Sequence, residues 1–450
     1  MQQQLSYREW IARGLAHALL ADRDAPGATA LHALRARAAA ALGEQPAWLP
    51  GLIEAIGAGA VQRLDLHTLT AHVLQLPAFH AVFELATPRI RRLILRPAQM
   101  ATRPLGLHEA VLPSLATHTD LADFLGLRTD RLDWLAGEAQ HYRGPVDGRR
   151  SATQHYHPQL QPKRQGGLRL IEAPKAELKL AQRRLLDGLL HAVPVHEAAT
   201  AYAPGRSVRA HAAAHTGQAV LVRFDLTDFF PSIRASRVHA LWRTLGYPAG
   251  VARTLTTLCT TRTPPAVRAR LREAGAIDWL GAKRLAAAHL PQGAPTSPAL
   301  ANLCCFRLDL RLDGLAHAFD ARYTRYADDI VFSGSALLRD RLVSLSSWVA
   351  GIAADEGFVL HPRKTRCLPQ HRQQRITGVV VNRHTNLPRE DFDRLKACLH
   401  RCLQHGPPDD AQRAELRGRI AWATQLNPAR GAKLQAMFER IAWPAPAAPP

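Results

Sequence analysis

Residues Ala321 to Gly334 read A-R-Y-T-R-Y-A-D-D-I-V-F-S-G. Arg322 to Tyr326 and Ile330 to Phe332 are runs of strand formers, and Asp328 and Asp329 stand between them. The pattern predicts strand, tight turn, strand, with two adjacent carboxylates at the tip. Neighbouring acids repel each other, so a fold that holds them together usually supplies a cation. Ligands that are all oxygen suit Mg²⁺ or Mn²⁺. Taken alone, the stretch fits a solvated turn equally well, because Asp is common in turns.

A second stretch narrows that choice. Ala219 to Ile233 reads A-V-L-V-R-F-D-L-T-D-F-F-P-S-I. Ala219 to Phe224 has the composition of a buried strand, and Asp225 stands at its end, where an unpaired carboxylate is costly. Asp228 follows, then Phe229, Phe230 and Pro231. A strand-end Asp and an Asp-Asp hairpin about a hundred residues later are the parts of a two-metal phosphoryl-transfer centre.

The charge agrees with a polyanionic partner. The chain has 450 residues and a formal net charge of +21, with room for two or three domains. The excess is uneven. Residues 1–110 carry 11 Lys/Arg against 8 Asp/Glu, residues 141–210 carry 12 against 5, and residues 361–375 carry 5 against none. A codon bias toward Arg would raise the total, but clustering points to nucleic acid.

Several shorter stretches add to this. Gly167 to Lys175 reads as a strand ended by Pro174, and Arg169 on it is suited to grip a triphosphate. Ala176 to Val193 is an amphipathic helix. Ala203 to Arg209 is a basic turn with Arg206 and Arg209, followed by His211-Ala-Ala-Ala-His215, one helical turn with two imidazoles on one face. No third metal ligand stands near that pair. Arg262 to Leu290 is a basic insertion rich in Pro and Ala. Pro291-Gln292-Gly293 is a turn, Ser297-Pro298 starts a helix, and Gly293 permits close approach of a nucleotide or template strand. Phe358 to Leu368 reads as a strand and Ile376 to Val381 as a hairpin arm.

The N-terminal 110 residues form an Ala- and Leu-rich helical region with no catalytic constellation. Thr119 to Ala136 fits a helical hairpin or a loose helix-turn-helix. Helical segments follow Leu387, at Asp391–Gln404, Ala411–Gln425 and Pro428–Ile441, and residues 444–450 read as a disordered tail. The six cysteines show no disulfide spacing and fit a reducing interior. Cys398, His400 and Cys402 suggest buried small residues on a helix face rather than zinc. With no signal-peptide pattern and no apolar run near ~20 residues, a cytoplasmic protein with no membrane partner is expected.

The motifs together resemble the bacterial reverse transcriptases, most closely the retron type, from about Arg169 to Gly378. Arg169 with Pro174-Lys175 matches the fingers motif, and Phe224-Asp225 through Ile233 the first palm motif. Pro291 to Pro298 matches the template and nucleotide loop, Tyr326-Ala327-Asp328-Asp329 the signature hairpin, and Gly357-Phe358 with Pro362-x-Lys364-Thr365 the fourth palm motif. His211 to His215 stands where retron enzymes carry Asn-Ala-x-x-His, without the Asn, and Ile376-Thr377-Gly378 stands for their Val-Thr-Gly.

The resemblance implies an α+β, right-hand polymerase fold of fingers, palm and thumb, preceded by a helical N-terminal extension. The expected divisions are an extension over 1–110, fingers and palm over 111–385, a thumb over 386–443 and a tail over 444–450. It implies RNA-directed DNA polymerase activity on a structured non-coding RNA, with dNTPs as substrates and an RNA–DNA hybrid as product. An effector protein and a role in anti-phage defence are expected by the same resemblance. Asp225, Asp328 and Asp329 would hold two Mg²⁺ ions, with Mn²⁺ as an alternative, and Lys364 would donate a proton to pyrophosphate. Arg169 and Lys175 would neutralise phosphates, Phe230 would exclude the ribose 2′-hydroxyl, and Gln292 and Gly293 would border the nascent base pair. Arg206, Arg209, His211 and His215 are the expected RNA contacts. The alternatives are a group II intron or abortive-infection type of reverse transcriptase, or a catalytically idle nucleic-acid-binding polymerase fold. The complete set of three Asp argues against the idle form.

Overall fold

A computed structural model describes residues 6–21, 23, 27–94, 99–104, 106–107, 109–137, 155–163, 166–406 and 410–443. The tail expected over 444–450 lies outside them. The chain divides into two compact units, Met1–Gln99 and Met100–Pro450.

The first unit is helical, with segments Tyr7–Leu20, Leu31–Leu42, Leu49–Ile56, Ala58–Arg63, Leu66–Gln75 and Pro77–Leu85. Ser6 and Glu9 close a reciprocal capping box at the first of them, satisfying backbone N–H groups that the helix itself cannot. Ile11, Leu15, Leu19, Leu34, Ile53 and Phe79 are fully buried and form a separate core. The unit ends before the boundary expected at 110. The Ala101 N–H donates to the Gly246 carbonyl at 2.8 Å, and Met100, Leu107 and Leu112 pack on the core of the second unit.

The second unit is built on β1 (Tyr156–Pro162), β2 (Leu168–Pro174), β3 (Val220–Asp225), β4 (Ala321–Tyr326), β5 (Asp329–Gly334), β6 (Arg366–Pro369), β7 (Arg375–Ile376) and β8 (Val379–Val380). β1 and β2 form one antiparallel hairpin, and β7 and β8 another. The central sheet has the order β4-β5-β3-β6, all antiparallel. Side chains alternate along its strands. Val222 and Phe224 of β3, with Ile330 and Phe332 of β5, enter the main core among the helices. Leu221 and Val331 turn to the other face, where they meet Ile376, Val379 and Ala212. Both faces are covered at the start of β3, which is why Val220 to Val222 are all apolar, whereas Arg223 and Asp225 farther along are only partly buried.

Three elements differ from expectation. β1 was not anticipated, because two prolines and three polar residues mask its strand character. The strand expected over 358–368 is confined to 366–369, and residues 362–364 form a 3₁₀ turn instead. The helix begun at Ser297 stops at Cys304 and a second runs from Phe306 to Ala318. The hairpin expected over 119–136 is present as helices His118–Leu125 and Thr129–Leu135, joined through Gly126 in the left-handed region.

C-terminal helices Arg389–His405, Asp410–Leu426 and Pro428–Glu439 share a small core of Leu395, Leu399, Leu416, Leu434 and Phe438. Among the described residues no helix is long and apolar enough to cross a membrane.

Candidate active site

The pairing of β3 with β5 sets the site. Asp225 lies directly opposite Asp329 in the register, so the two carboxylates leave the same face of the sheet. Tyr326 pairs with Asp329 across the β4–β5 turn, leaving Ala327 and Asp328 as its two turn residues. The tip is therefore Ala327–Asp328, and Asp329 belongs to the strand. The Leu226 N–H donates to the Asp328 carbonyl at 3.0 Å, which ties the turn to the end of β3. Asp225 and the adjacent pair Asp328-Asp329, about a hundred residues apart in the chain, thus meet at one end of one strand pair.

Ala327 has a φ of 57°, a left-handed conformation that a residue with a Cβ adopts at a cost. A buried network holds it there. Arg325 donates to the Ala327 carbonyl at 3.1 Å and to both carboxylate oxygens of Asp309 at 2.7 and 2.6 Å. The Tyr323 hydroxyl donates to Asp309 at 2.7 Å, and Arg325 also reaches Asn302 at 3.2 Å. The side chains of Arg325 and Asp309 are both 0% exposed.

The acids are crowded. Burial raises the Asp328 carboxyl above its ordinary pKa, and the Asp225 charge raises it further. Burial also raises Asp329, opposed by the Arg223 guanidinium. Arg223 donates to both Asp329 oxygens at 3.2 and 2.6 Å. The Lys364 ammonium donates to both oxygens of Asp225 at 2.8 and 3.0 Å. It is delivered by the 3₁₀ turn, whose His361 N–H donates to the Asp225 carbonyl at 2.7 Å. A cavity of about 220 Å³ opens here, lined by Arg223, Phe224, Asp225, Asp329, Lys364 and Arg366.

Among the described residues no three His, Cys, Asp or Glu side chains are gathered closely enough to form a ready-made metal cage. Two of the carboxylates are turned toward Lys364 and Arg223. The donor set nevertheless fits a divalent ion. All donors are carboxylate oxygens, two are raised by burial and by the neighbouring acids, and each of two already holds a cationic side chain.

A second group forms around β2. Arg169 is exposed on it, opposite Gln161 of β1. Lys175 follows the strand and caps helix Ala176–Gly188. The Glu172 N–H donates to the Gln292 carbonyl at 2.8 Å. Gly293 has a φ of 127°, and a Cβ there would stand 3.0 Å from Ile171. Glycine is required, and the reason is close packing of this loop on β2. Beneath it the buried Glu172 carboxylate accepts from Thr263 at 2.7 Å and bonds His289 at 3.1 Å. Phe230 is half-buried in the turn Phe229–Ser232 and packs on Phe229. No hydrogen bond among the described residues joins the β2 group to the three acids.

Arg206 and Arg209 are exposed. His211 and His215 correct the expectation of RNA contact, because both side chains are 0% exposed. His215 bonds Ser333 and Thr324 at 2.6 and 2.7 Å, and His211 bonds Thr200 and Thr324 at 2.9 and 2.8 Å. Burial lowers each imidazole to a pKa of about 3, so both are neutral and brace β4 and β5 from beneath.

Arg223, Asp309, Arg325 and Glu172 were not foreseen. Arg223 had a signal, since it stands two places before Asp225 on a strand and shares its face. Asp309 stands between two leucines on a helix that also carries Arg307, Arg311 and Asp313, so nothing local set it apart.

Comparison with known proteins identifies the family. Residues 161–381 match the family described as reverse transcriptase (RNA-dependent DNA polymerase). The Retron Mx65 reverse transcriptase of Myxococcus xanthus is 39% identical over 335 residues, covering 72% of this chain and 71% of that protein. The Retron Mx162 reverse transcriptase of the same organism is 37% identical over 357 residues, covering 75% and 70%. The Retron Ec86 reverse transcriptase of Escherichia coli is 30% identical over 234 residues, covering 52% and 65%. The chain belongs to the retron-type reverse transcriptases of bacteria. It is an RNA-directed DNA polymerase, and that domain implies the polymerase fold.

Two predictions concern the site without substrate. Asp309→Ala leaves Arg325 charged, buried and unpaired, and should destabilise the protein by about 3–5 kcal/mol. The double change Asp309→Leu with Arg325→Met should recover much of that loss, as read by thermal denaturation. For Asp328, a folded-state pKa above the unfolded value means that ionisation opposes folding once pH exceeds the unfolded value. Asp328→Asn should therefore raise the melting temperature of chelator-treated protein near neutral pH. The gain should shrink as pH falls toward the ordinary carboxylate range of about 4.

Proposed function

We propose that this chain copies part of a structured non-coding RNA into a short DNA joined to RNA, by nucleotidyl transfer at Asp225, Asp328 and Asp329. The observation that carries the reading is the register that sets Asp225 opposite Asp329 with Asp328 in the adjoining turn. The retron reverse transcriptases to which it is similar supply the class of template and product.

Asp225 and Asp328 would hold two Mg²⁺ ions, with Mn²⁺ as a substitute and Asp329 completing or tuning the set. Bound there, the ions would lower the pKa of the primer hydroxyl and stabilise charge on the triphosphate and departing pyrophosphate. The remaining work falls to the chain's own side chains. Asp329 is paired with Arg223, which suits it to tuning the field more than to binding an ion directly. Lys364 holds an ammonium proton beside Asp225. Once the carboxylate is occupied by another cation, that proton is available to the pyrophosphate oxygen.

Arg169 and Lys175 approach the phosphates from β2, and the Gln292–Gly293 loop packed on that strand borders the nascent base pair. Phe230 sets its ring against the sugar, where a 2′-hydroxyl would clash. In this reading β1 and β2 belong to the fingers, the central sheet to the palm and helices 389–439 to the thumb. Exposed Arg206 and Arg209 contact RNA phosphates, with a strong dependence on salt. A cytoplasmic setting, an effector protein and a role in anti-phage defence complete the proposal by similarity to retron systems.

Asp225→Asn or Asp328→Asn should lower primer extension by at least about a thousandfold while RNA affinity, read by gel shift, changes less than about threefold. Retained synthesis in either variant would refute the role of the acids. Phe230→Ala should raise ribonucleotide incorporation relative to deoxyribonucleotide in single-turnover assays. Unchanged discrimination would remove the steric argument.

A further inference from the structure

The basic insertion leaves the body of the second unit at Thr261 and rejoins it at His289. The backbones of those two residues exchange hydrogen bonds of 2.9 and 3.0 Å. Between them stand helices Pro265–Glu273 and Trp279–Ala286. They are pinned together by the Thr263 N–H, which donates to the Leu285 carbonyl at 3.0 Å. The second helix is seated against the turn that follows Asp225. Arg284 donates to Asp228 at 3.1 Å, and Gly281 is buried where a Cβ would lie 3.5 Å from the same carboxylate. The excursion is therefore tied to the turn three residues beyond Asp225.

The excursion leaves an apolar feature in water, which is costly without a partner, and sets exposed cations around it. The Trp279 side chain is 66% exposed and Leu280 beside it is 41% exposed. Lys283, one helical turn on, holds its ammonium 5.0 Å from the centre of the indole ring. Arg262, Arg270 and Arg272 are also exposed. Among the described residues none of these three arginines, nor Lys283, forms an ion pair with a carboxylate. An apolar protein partner would match the indole but leave the cations uncompensated. A nucleic-acid strand matches both, with a base for the ring and phosphates for the cations.

We propose that this excursion is a binding site for single-stranded nucleic acid, with the Trp279 ring as a base-stacking platform and Arg270, Arg272 and Lys283 as phosphate contacts. The inference deepens the polymerase reading and rests on it for the role of the bound strand as template. The seat of helix Trp279–Ala286 on the Asp228 turn places that strand next to the end of β3. Duplex nucleic acid, whose bases are already stacked, has no free face to offer the ring.

The test uses the full chain and fluorescent oligo(U) and oligo(dT), with binding followed by anisotropy across a salt series. Trp279→Ala should weaken both strands roughly tenfold, as loss of one base–aromatic stack does, without changing the salt slope. Trp279→Leu keeps an apolar side chain but removes the π face, and should lose as much; Trp279→Phe should retain most of the affinity. Arg270→Gln with Arg272→Gln should flatten the slope of log affinity on log salt by about 1.4. Wild-type affinity for both strands in Trp279→Leu overturns the site. Primer extension by the wild-type protein, run in parallel, reads the polymerase assignment separately, since its failure would leave the stacking measurement intact.

Discussion

Three carboxylates meet at one end of the β3–β5 pair, and their mutual repulsion is the constraint around which this part of the molecule is arranged. Two unit charges about 4 Å apart interact by roughly 4 kcal/mol at the effective dielectric of a protein surface. The chain offsets this with its own cations. Lys364 lies on Asp225 and Arg223 on Asp329, while Asp328 is left with a raised pKa and no basic side chain bonded to it among the described residues. The arrangement keeps the acids together before any divalent ion arrives. It also grades them, because Lys364 is more than half exposed on a short turn whereas Arg223 is anchored on a strand and bonded to the Arg375 carbonyl.

The support beneath is rigid. Arg325 and Asp309 form a buried pair, and four of the five guanidinium N–H groups are bonded, two to Asp309, one to Asn302 and one to the Ala327 carbonyl, while Tyr323 donates to Asp309. A buried pair of this kind adds little net stability over apolar packing, but it fixes geometry through its directed hydrogen bonds. Here the geometry fixed is that of the turn carrying Asp328. His211 and His215 serve β4 and β5 in the same way from the other side, as neutral hydrogen-bonding groups. Glu172 does so for β2, joining it to Thr263 and His289 below and to Gln292 by its backbone.

Much of the site was legible in the sequence because its motifs are local. The strand-forming runs on either side of Asp328, the strand ending at Asp225 and the Pro-Gln-Gly turn each depend on neighbours in the chain, so residue type and spacing reveal them. Interactions that cross the chain were not legible. Nothing near Asp309 points to Arg325, and nothing near Arg223 points to Asp329 until the register is known. The His pair illustrates the opposite error. The expected helical turn ends at Ala213, so only His211 stands on the helix and His215 lies in the turn that follows; exposure depends on what packs against them, and here it is the central sheet. β1 escaped because its pairing with β2 outweighs a composition poor in strand formers.

The central claim is that Asp225 and Asp328 act together on divalent ions at the end of β3. Titration of chelator-treated protein with Mn²⁺, following the free ion by electron paramagnetic resonance, tests it most directly. The account predicts uptake of two ions in the presence of dNTP and loss of that uptake in Asp225→Asn and in Asp328→Asn. Undiminished Mn²⁺ uptake in both variants would contradict it.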